Sequence, residues 1–120
     1  RKAWDAPIML HPANPEHIWT GTQRMWRMIG APSGNWTAMS GDLTLNVEPA
    51  LSYRIITSIT GSPVDENVVA AGTADGQVHF TTDGGTTWNL MTSGLPERYV
   101  TDLYFDPFNP DSIFCTVSGY

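Results

Sequence analysis

Short apolar runs separated by turn-forming residues predict a chain made of β-strands. Runs rich in β-branched and aromatic residues alternate with clusters of Gly, Pro, Asn and Asp, the pattern of short strands joined by turns. No window shows the apolar spacing of an amphipathic helix. The predicted first strands are 55–60 and 99–105, the second strands 67–73 and 112–117, the third 77–82 and the fourth 87–91. An all-β fold is therefore expected.

The chain also contains an internal repeat, so the fold is expected to consist of repeated structural units. Residues 11–22 align without a gap on residues 62–73, an offset of 51, and residues 106–117 repeat the pattern 44 positions later. A second marker recurs in phase with the first, because the segment beginning at Trp36 resembles the segment beginning at Trp88. Each full repeating unit therefore contains two recognisable sequence segments in the same order.

Four short antiparallel strands in about 45 residues are typical of a β-propeller blade. The sequence predicts an all-β propeller segment with two full four-stranded blades, at about 7–39 and 55–92, and half of a third at 99–117. The corresponding domain boundaries are 1–54, with a degenerate turn motif and a long connector, 55–98, and 99–120 for the inner strands of the third blade.

Propellers close with about four to eight blades, so this chain is expected to be a piece of a larger ring or to need partner chains. Further propeller blades are the predicted partners. Apolar residues that we expect to be covered partly by something outside these 120 residues are Ile8, Leu10, Ile56, Val69, Leu103 and Phe105.

The turn between the third and fourth strands of the second unit has a recognisable pattern, Ser/Thr-x-Asp-x-Gly-x-Thr-Trp, at residues 81–88. Gly84 and Gly85 can adopt the positive φ of a tight turn. Thr81 opens the motif, Asp83 can accept hydrogen bonds from turn N–H groups, and Trp88 can pack between sheets. The corresponding stretch in the first unit keeps a Trp and a Gly but lacks the Asp, so that turn must be built differently.

This octet resembles the Asp-box, or bacterial neuraminidase repeat, and the whole chain resembles the β-propellers that carry it. Sialidases, xyloglucanases, sortilin-type receptor domains and photosystem assembly factors share this repeat. The resemblance implies that the Asp-box lies at the blade periphery and serves folding rather than catalysis. It also implies an extracellular or cell-envelope location, with no secretion signal within this chain.

The tryptophans divide into packing residues and one candidate ligand contact. Their repeat positions assign Trp36 and Trp88 to packing, and Trp26, which aligns with Phe80, to the core between blades. Trp19 aligns with the small Ala70 and is therefore the ligand-contact candidate, with core packing as the alternative.

Composition argues against several classes of binding protein. With 6 basic against 12 acidic side chains, a net charge of −6 and scattered cations, nucleic acid and membrane surfaces are not expected partners. The three histidines lack zinc-ligand spacing, Cys115 is the single cysteine, and no loop follows a calcium-binding pattern. Neither a metal nor a cofactor is predicted.

Glycoside hydrolysis requires two carboxyl groups, or a Tyr nucleophile with an arginine cluster. Asp102, in a predicted innermost strand, is the best catalytic candidate, although a structural role for it is favoured. The leading prediction is a non-catalytic binding or scaffold segment of a secreted Asp-box propeller that contacts protein or glycan. The alternatives are a fragment of a sialidase- or xyloglucanase-like glycoside hydrolase, with most catalytic residues in other blades, and a protein-complex subunit.

Overall fold

The computed structural model describes residues 5–44, 54–91 and 94–119, and these form ten β-strands. The strands are β1 (Ile8–His11), β2 (Asn14–Gly21), β3 (Met25–Ile29), β4 (Thr37–Ala38), β5 (Ile56–Gly61), β6 (Val69–Thr73), β7 (Val78–Thr81), β8 (Asn89–Met91), β9 (Val100–Phe105) and β10 (Ile113–Val117). The described residues contain no helix, and hence none long and apolar enough to cross a membrane. The predicted all-β class is confirmed.

The strands form three antiparallel sheets in chain order. The first sheet is β1-β2-β3-β4, the second is β5-β6-β7-β8, and the third contains β9 and β10. Each strand pairs with its neighbour along the chain, so every connection within a sheet is a hairpin. The predicted strand numbers of four, four and two are confirmed, and the sheets do not close into a barrel.

The second sheet lies between the other two, with an apolar core on each of its faces. Successive residues of a strand point to opposite faces, so Val69 and Ala71 face the first sheet while Ala70 faces the third. The first core contains Trp19, Met25, Leu43, Ile56, Val69 and Ala71. The second contains Val68, Ala70, Val78, Val100, Leu103 and Phe105.

These cores correct part of the expectation about apolar positions. Ile56, Val69, Leu103 and Phe105 are buried by the chain's own sheets, so they need no cover from elsewhere. Ile8 and Leu10 remain 67% and 60% exposed, whereas Met9 between them packs against the first core.

Two glycines show that the sequence repeat is also a repeat of packing. A Cβ added at Gly21 would lie 2.6 Å from Ile56 Cγ2, and one at Gly72 would clash with the side chain of Val100. Both glycines lie near the end of a second strand, where the first strand of the next sheet approaches. Thr116 occupies the equivalent position in the third sheet, where it is exposed.

The register of the third strands corrects one alignment. Trp19 pairs with Arg27 in the first sheet, whereas Ala70 pairs with Phe80 in the second. Arg27, and not Trp26, is therefore the equivalent of Phe80. The β2–β3 turn has three residues between paired strands where the β6–β7 turn has five. The predicted alignment is one residue out, and because side chains alternate along a strand, Trp26 lies on the opposite face from Arg27.

Candidate functional site

The turn of residues 81–88, here called the Thr81–Trp88 turn, is closed by its own side chains. Asp83 Oδ1 accepts hydrogen bonds from Thr81 Oγ1 at 2.8 Å and from the Thr87 backbone N–H at 2.9 Å. Asp83 Oδ2 accepts another from Thr87 Oγ1 at 2.5 Å. One carboxylate therefore joins both ends of the turn.

The two glycines supply the backbone shape that this closure needs. Gly84 and Gly85 have φ values of 72° and 97°, which a residue with a Cβ adopts only with strain. Their N–H groups are both bonded, Gly84 to the Asn67 carbonyl at 3.0 Å and Gly85 to Thr81 Oγ1 at 2.9 Å. The turn is thus also anchored to the segment that precedes β6.

Hydrogen bonds to the Asp83 carboxyl group favour its ionised form. Hydrogen bonds from the Thr87 side chain and backbone, and from Thr81, lower the pKa of this exposed carboxyl to about 2. Donors that bind the ionised form favour it. A carboxyl with this pKa is ionised at neutral pH and has no proton to donate, so its environment suits turn closure better than acid catalysis.

The same turn also binds the first sheet. Trp88 Nε1 donates a hydrogen bond to the Met39 carbonyl at 2.8 Å, and Arg27 Nη1 donates to the Gly84 carbonyl at 3.5 Å. A Cβ at Gly85 would lie 3.2 Å from the Met39 side chain. The Thr81–Trp88 turn is therefore a contact between the outer strands of two neighbouring sheets.

The equivalent segment of the first sheet is built differently, as its lack of an Asp predicts. Gly30 takes a φ of 72°, and the following Ala31–Pro32 peptide bond is cis. Trp36 is 43% exposed, so the expectation that it packs as Trp88 does is wrong in this structure. Its face of the first sheet has no neighbouring sheet among the described residues.

Trp19 also departs from its predicted role. Its side chain is 0% exposed and lies in the core between the first and second sheets. The Arg27 guanidinium lies 5.4 Å from the centre of its ring, a cation–π contact. A ligand cannot reach this ring in the folded chain, so the prediction of a ligand contact at Trp19 is corrected to core packing. The small side chains of Val69 and Ala71 opposite make room for it.

Asp102 lies exposed on β9, beside the second sheet. Its Oδ1 accepts hydrogen bonds from Ser58 Oγ at 3.3 Å and from the Leu103 N–H at 2.9 Å. A further bond joins the same two strands, because Thr57 Oγ1 donates to the Val100 carbonyl at 2.6 Å. The carboxylate thus takes part in the contact between β5 and β9.

A cleft lies where the first strands of the three sheets meet, and no motif in the sequence indicates it. It has a volume of about 280 Å³ and is mainly apolar. Leu10 and Tyr104 at its wall have large, exposed side chains. Their exposure indicates a binding surface only when the stacking of the sheets is known. The lining residues are Met9, Leu10, Pro12, Ile59, Thr60, Gly61, Pro63, Tyr104 and Phe105. Such a surface suits the apolar face of a ligand rather than a charged group.

The three histidines are not grouped with other possible metal ligands in the part of the chain that the structure describes. Within residues 5–44, 54–91 and 94–119, no three His, Cys, Asp or Glu side chains are grouped as metal ligands would be. His11 is fully buried. Its Nδ1 accepts from the Ala13 N–H at 3.1 Å, so its Nε2 is the donor to the Val68 carbonyl at 3.3 Å. It joins the first two sheets.

Comparison of the chain with protein-family models, curated proteins and solved structures finds no match. Evidence on function therefore comes from the residues and geometry of this chain.

Proposed function

We propose that this chain is a non-catalytic binding and scaffold segment of an Asp-box β-propeller, in which each sheet is a blade. The observation that carries the proposal is the repeated stacking of sheets. The same close approach, a glycine on a second strand against the first residue of the next sheet, occurs at Gly21 and at Gly72. Blades that bury a face against each neighbour are the basis of such repeat folds.

The placement of the two ends of each sheet supports the same proposal. The first strands β1, β5 and β9 meet at one cleft, as inner strands do around a propeller axis. The Thr81–Trp88 turn joins the third and fourth strands, at the far edge of its sheet from β5. Its contacts are structural, in agreement with the peripheral role that the family resemblance implies.

The cleft is the proposed binding surface, and its ligand is a protein or a glycan. Tyr104 and Leu10 are exposed and line the cleft together with the polar residue Thr60. Aromatic side chains with a polar end are well suited to sugar rings and to protein interfaces. Further blades as partners, and an extracellular or cell-envelope location, belong to this proposal through the family resemblance.

Binding can be tested with a glycan array and with pull-down on immobilised candidate proteins, using the 120-residue chain. Tyr104→Ala should reduce the signal by about tenfold or more, a loss of about 1.4 kcal/mol. Tyr99→Ala is the matched control, because Tyr99 is exposed but lies outside the cleft.

Two results would overturn the proposal. Equal signals from the two tyrosine variants would remove the cleft as the binding surface. Hydrolysis of an aryl glycoside that is abolished by Asp102→Asn would favour the glycoside hydrolase alternative instead.

A further inference from the structure

Among the described residues, the second strand of the third sheet has an unpaired side, which the second strands of the first two sheets lack. Strands β2 and β6 are paired on both sides, whereas β10 pairs only with β9 in the part of the chain that the structure describes. An unpaired strand edge is a template for another strand. The edge formed by Ile113–Val117 is here called the β10 edge.

The repeat shows which backbone groups are available at this edge. In the second sheet the Thr73 N–H donates to the Gln77 carbonyl, so Thr73 and every second residue before it point toward β7. In the third sheet the Asp106 N–H donates to the Ser112 carbonyl, which directs Ser112 toward β9. Because these groups alternate along a strand, those of Ile113, Cys115 and Val117 face the open side.

A groove lies beside the β10 edge, against the second sheet. It has a volume of about 270 Å³ and is lined by Phe80, Thr82, Met91, Pro110, Asp111 and Ile113. Met91 is 37% exposed, and Asp111 is an exposed acid. The groove therefore combines apolar walls with a carboxylate.

We propose that the β10 edge binds an extended polypeptide segment as a third antiparallel strand, with large apolar side chains at alternate positions filling the groove. The occupant is argued from the equivalent places in this chain, where β3 and β7 lie on the same edges of β2 and β6. Its charge is neutral or basic, because Asp111 lines the groove and the chain carries −6. The proposal does not require that the sheets are propeller blades.

The chain's own third strand provides a suitable probe. A synthetic peptide with the sequence of residues 22–30 is basic and has the large apolar residues Trp26 and Met28 at alternate positions. A scrambled peptide of the same composition is its control. Both would be titrated into the ¹⁵N-labelled 120-residue chain while amide shifts and hydrogen exchange are recorded.

The expected result is specific to alternate residues. The amides of Ile113, Cys115 and Val117 should shift and exchange at least about tenfold more slowly with saturating peptide. The amides of Phe114 and Thr116, which face β9, should change less. Met91→Arg should weaken peptide binding by about tenfold or more. Ile29→Arg is the matched control, an exposed apolar residue on the outer part of the first sheet, and should bind as the parent does.

A second variant tests the hydrogen bonds of the edge. Cys115→Pro removes an edge N–H without removing a bond to β9 and should also weaken binding. If this variant fails to fold, the comparison of Met91→Arg with Ile29→Arg still decides.

The proposal is overturned if the peptide leaves the β10 amides unchanged, or if it binds equally well to Met91→Arg. It is also overturned if those amides shift with chain concentration in the absence of peptide, because the occupant would then be a second copy.

Discussion

The two third-to-fourth-strand turns occupy equivalent places in the first and second sheets, but they are stabilised differently. In the second sheet, Asp83 closes the turn and the Trp88 indole donates to the Met39 carbonyl of the first sheet. In the first sheet the equivalent turn has no Asp, and the Trp36 side chain is 43% exposed. The comparison separates two roles. Turn closure is local and depends on the turn's own sequence, whereas the Trp needs a neighbouring sheet before it can contribute to packing.

Replacing the two tryptophans is the strongest test of this difference. Trp88→Ala should lower the free energy of unfolding by about 3 kcal/mol, because it removes a large inter-sheet side chain. Trp36→Ala should cost less than about 1 kcal/mol, since much of its ring is already in water. Urea unfolding of both variants would measure the two losses, and losses of equal size would contradict the distinction.

The two glycine contacts should respond alike if both interfaces are built on the same plan. Gly21→Ala and Gly72→Ala each place a methyl group against a buried side chain, Ile56 or Val100, and should cost about 1–3 kcal/mol. Gly41→Ala is the control, because the added Cβ meets nothing within 4 Å. A tolerated Gly72→Ala beside a damaging Gly21→Ala would show that the second interface is looser than the first.

Acidification should lower the free energy of unfolding through one histidine in the first sheet and one in the second. Burial lowers the pKa of His11 in the first sheet and of His79 in the second below the ordinary value of 6.5. The unfolded chain then takes up protons more readily than the folded chain, so stability is complete above about pH 6.5 and is lost as pH falls. Thermal midpoints at about pH 7.5 and about pH 5.5 would measure this loss.

Variants of the two histidines show how much of this loss of stability comes from each sheet. His11→Gln and His79→Gln should each reduce the difference between the two midpoints, and the double variant should reduce it most. A midpoint that rises on acidification would contradict the assignment.

The smallest effect is expected from the carboxylate that closes the Thr81–Trp88 turn. Asp83 is exposed, as is Thr87, so water can satisfy the donors that Asp83→Asn leaves. The pKa of Asp83 is lowered from 3.8 to about 2. Its contribution is therefore present above about pH 4 and lost as pH falls toward 2. The thermal midpoint of the parent should fall more over this pH range than that of Asp83→Asn. If the two midpoints fall equally, the Asp83 carboxylate contributes no stability to the turn.

The strands were predictable because their boundaries are set locally. The observed bounds of β5, β6 and β9 lie within about two residues of the predicted ranges, because clusters of Gly, Pro and Asp end these strands. The register of β3 was not, because the β2–β3 turn is two residues shorter than the β6–β7 turn and the spacing of the flanking motifs does not show where residues are missing. The burial of Trp19 depends on small side chains across the sheet interface, and the cleft depends on the meeting of three sheets. Both are properties of stacking, which a single strand pattern does not contain.

Thr116 has a consequence for the curvature of any longer array. Gly21 and Gly72 let successive sheets approach until backbone meets side chain, and that distance fixes the angle between one sheet and the next. A threonine at the third equivalent position adds a hydroxyl and a methyl group to this contact. A sheet stacked on that face would stand further out, so the angle between successive sheets would differ there and a longer array would not be evenly curved.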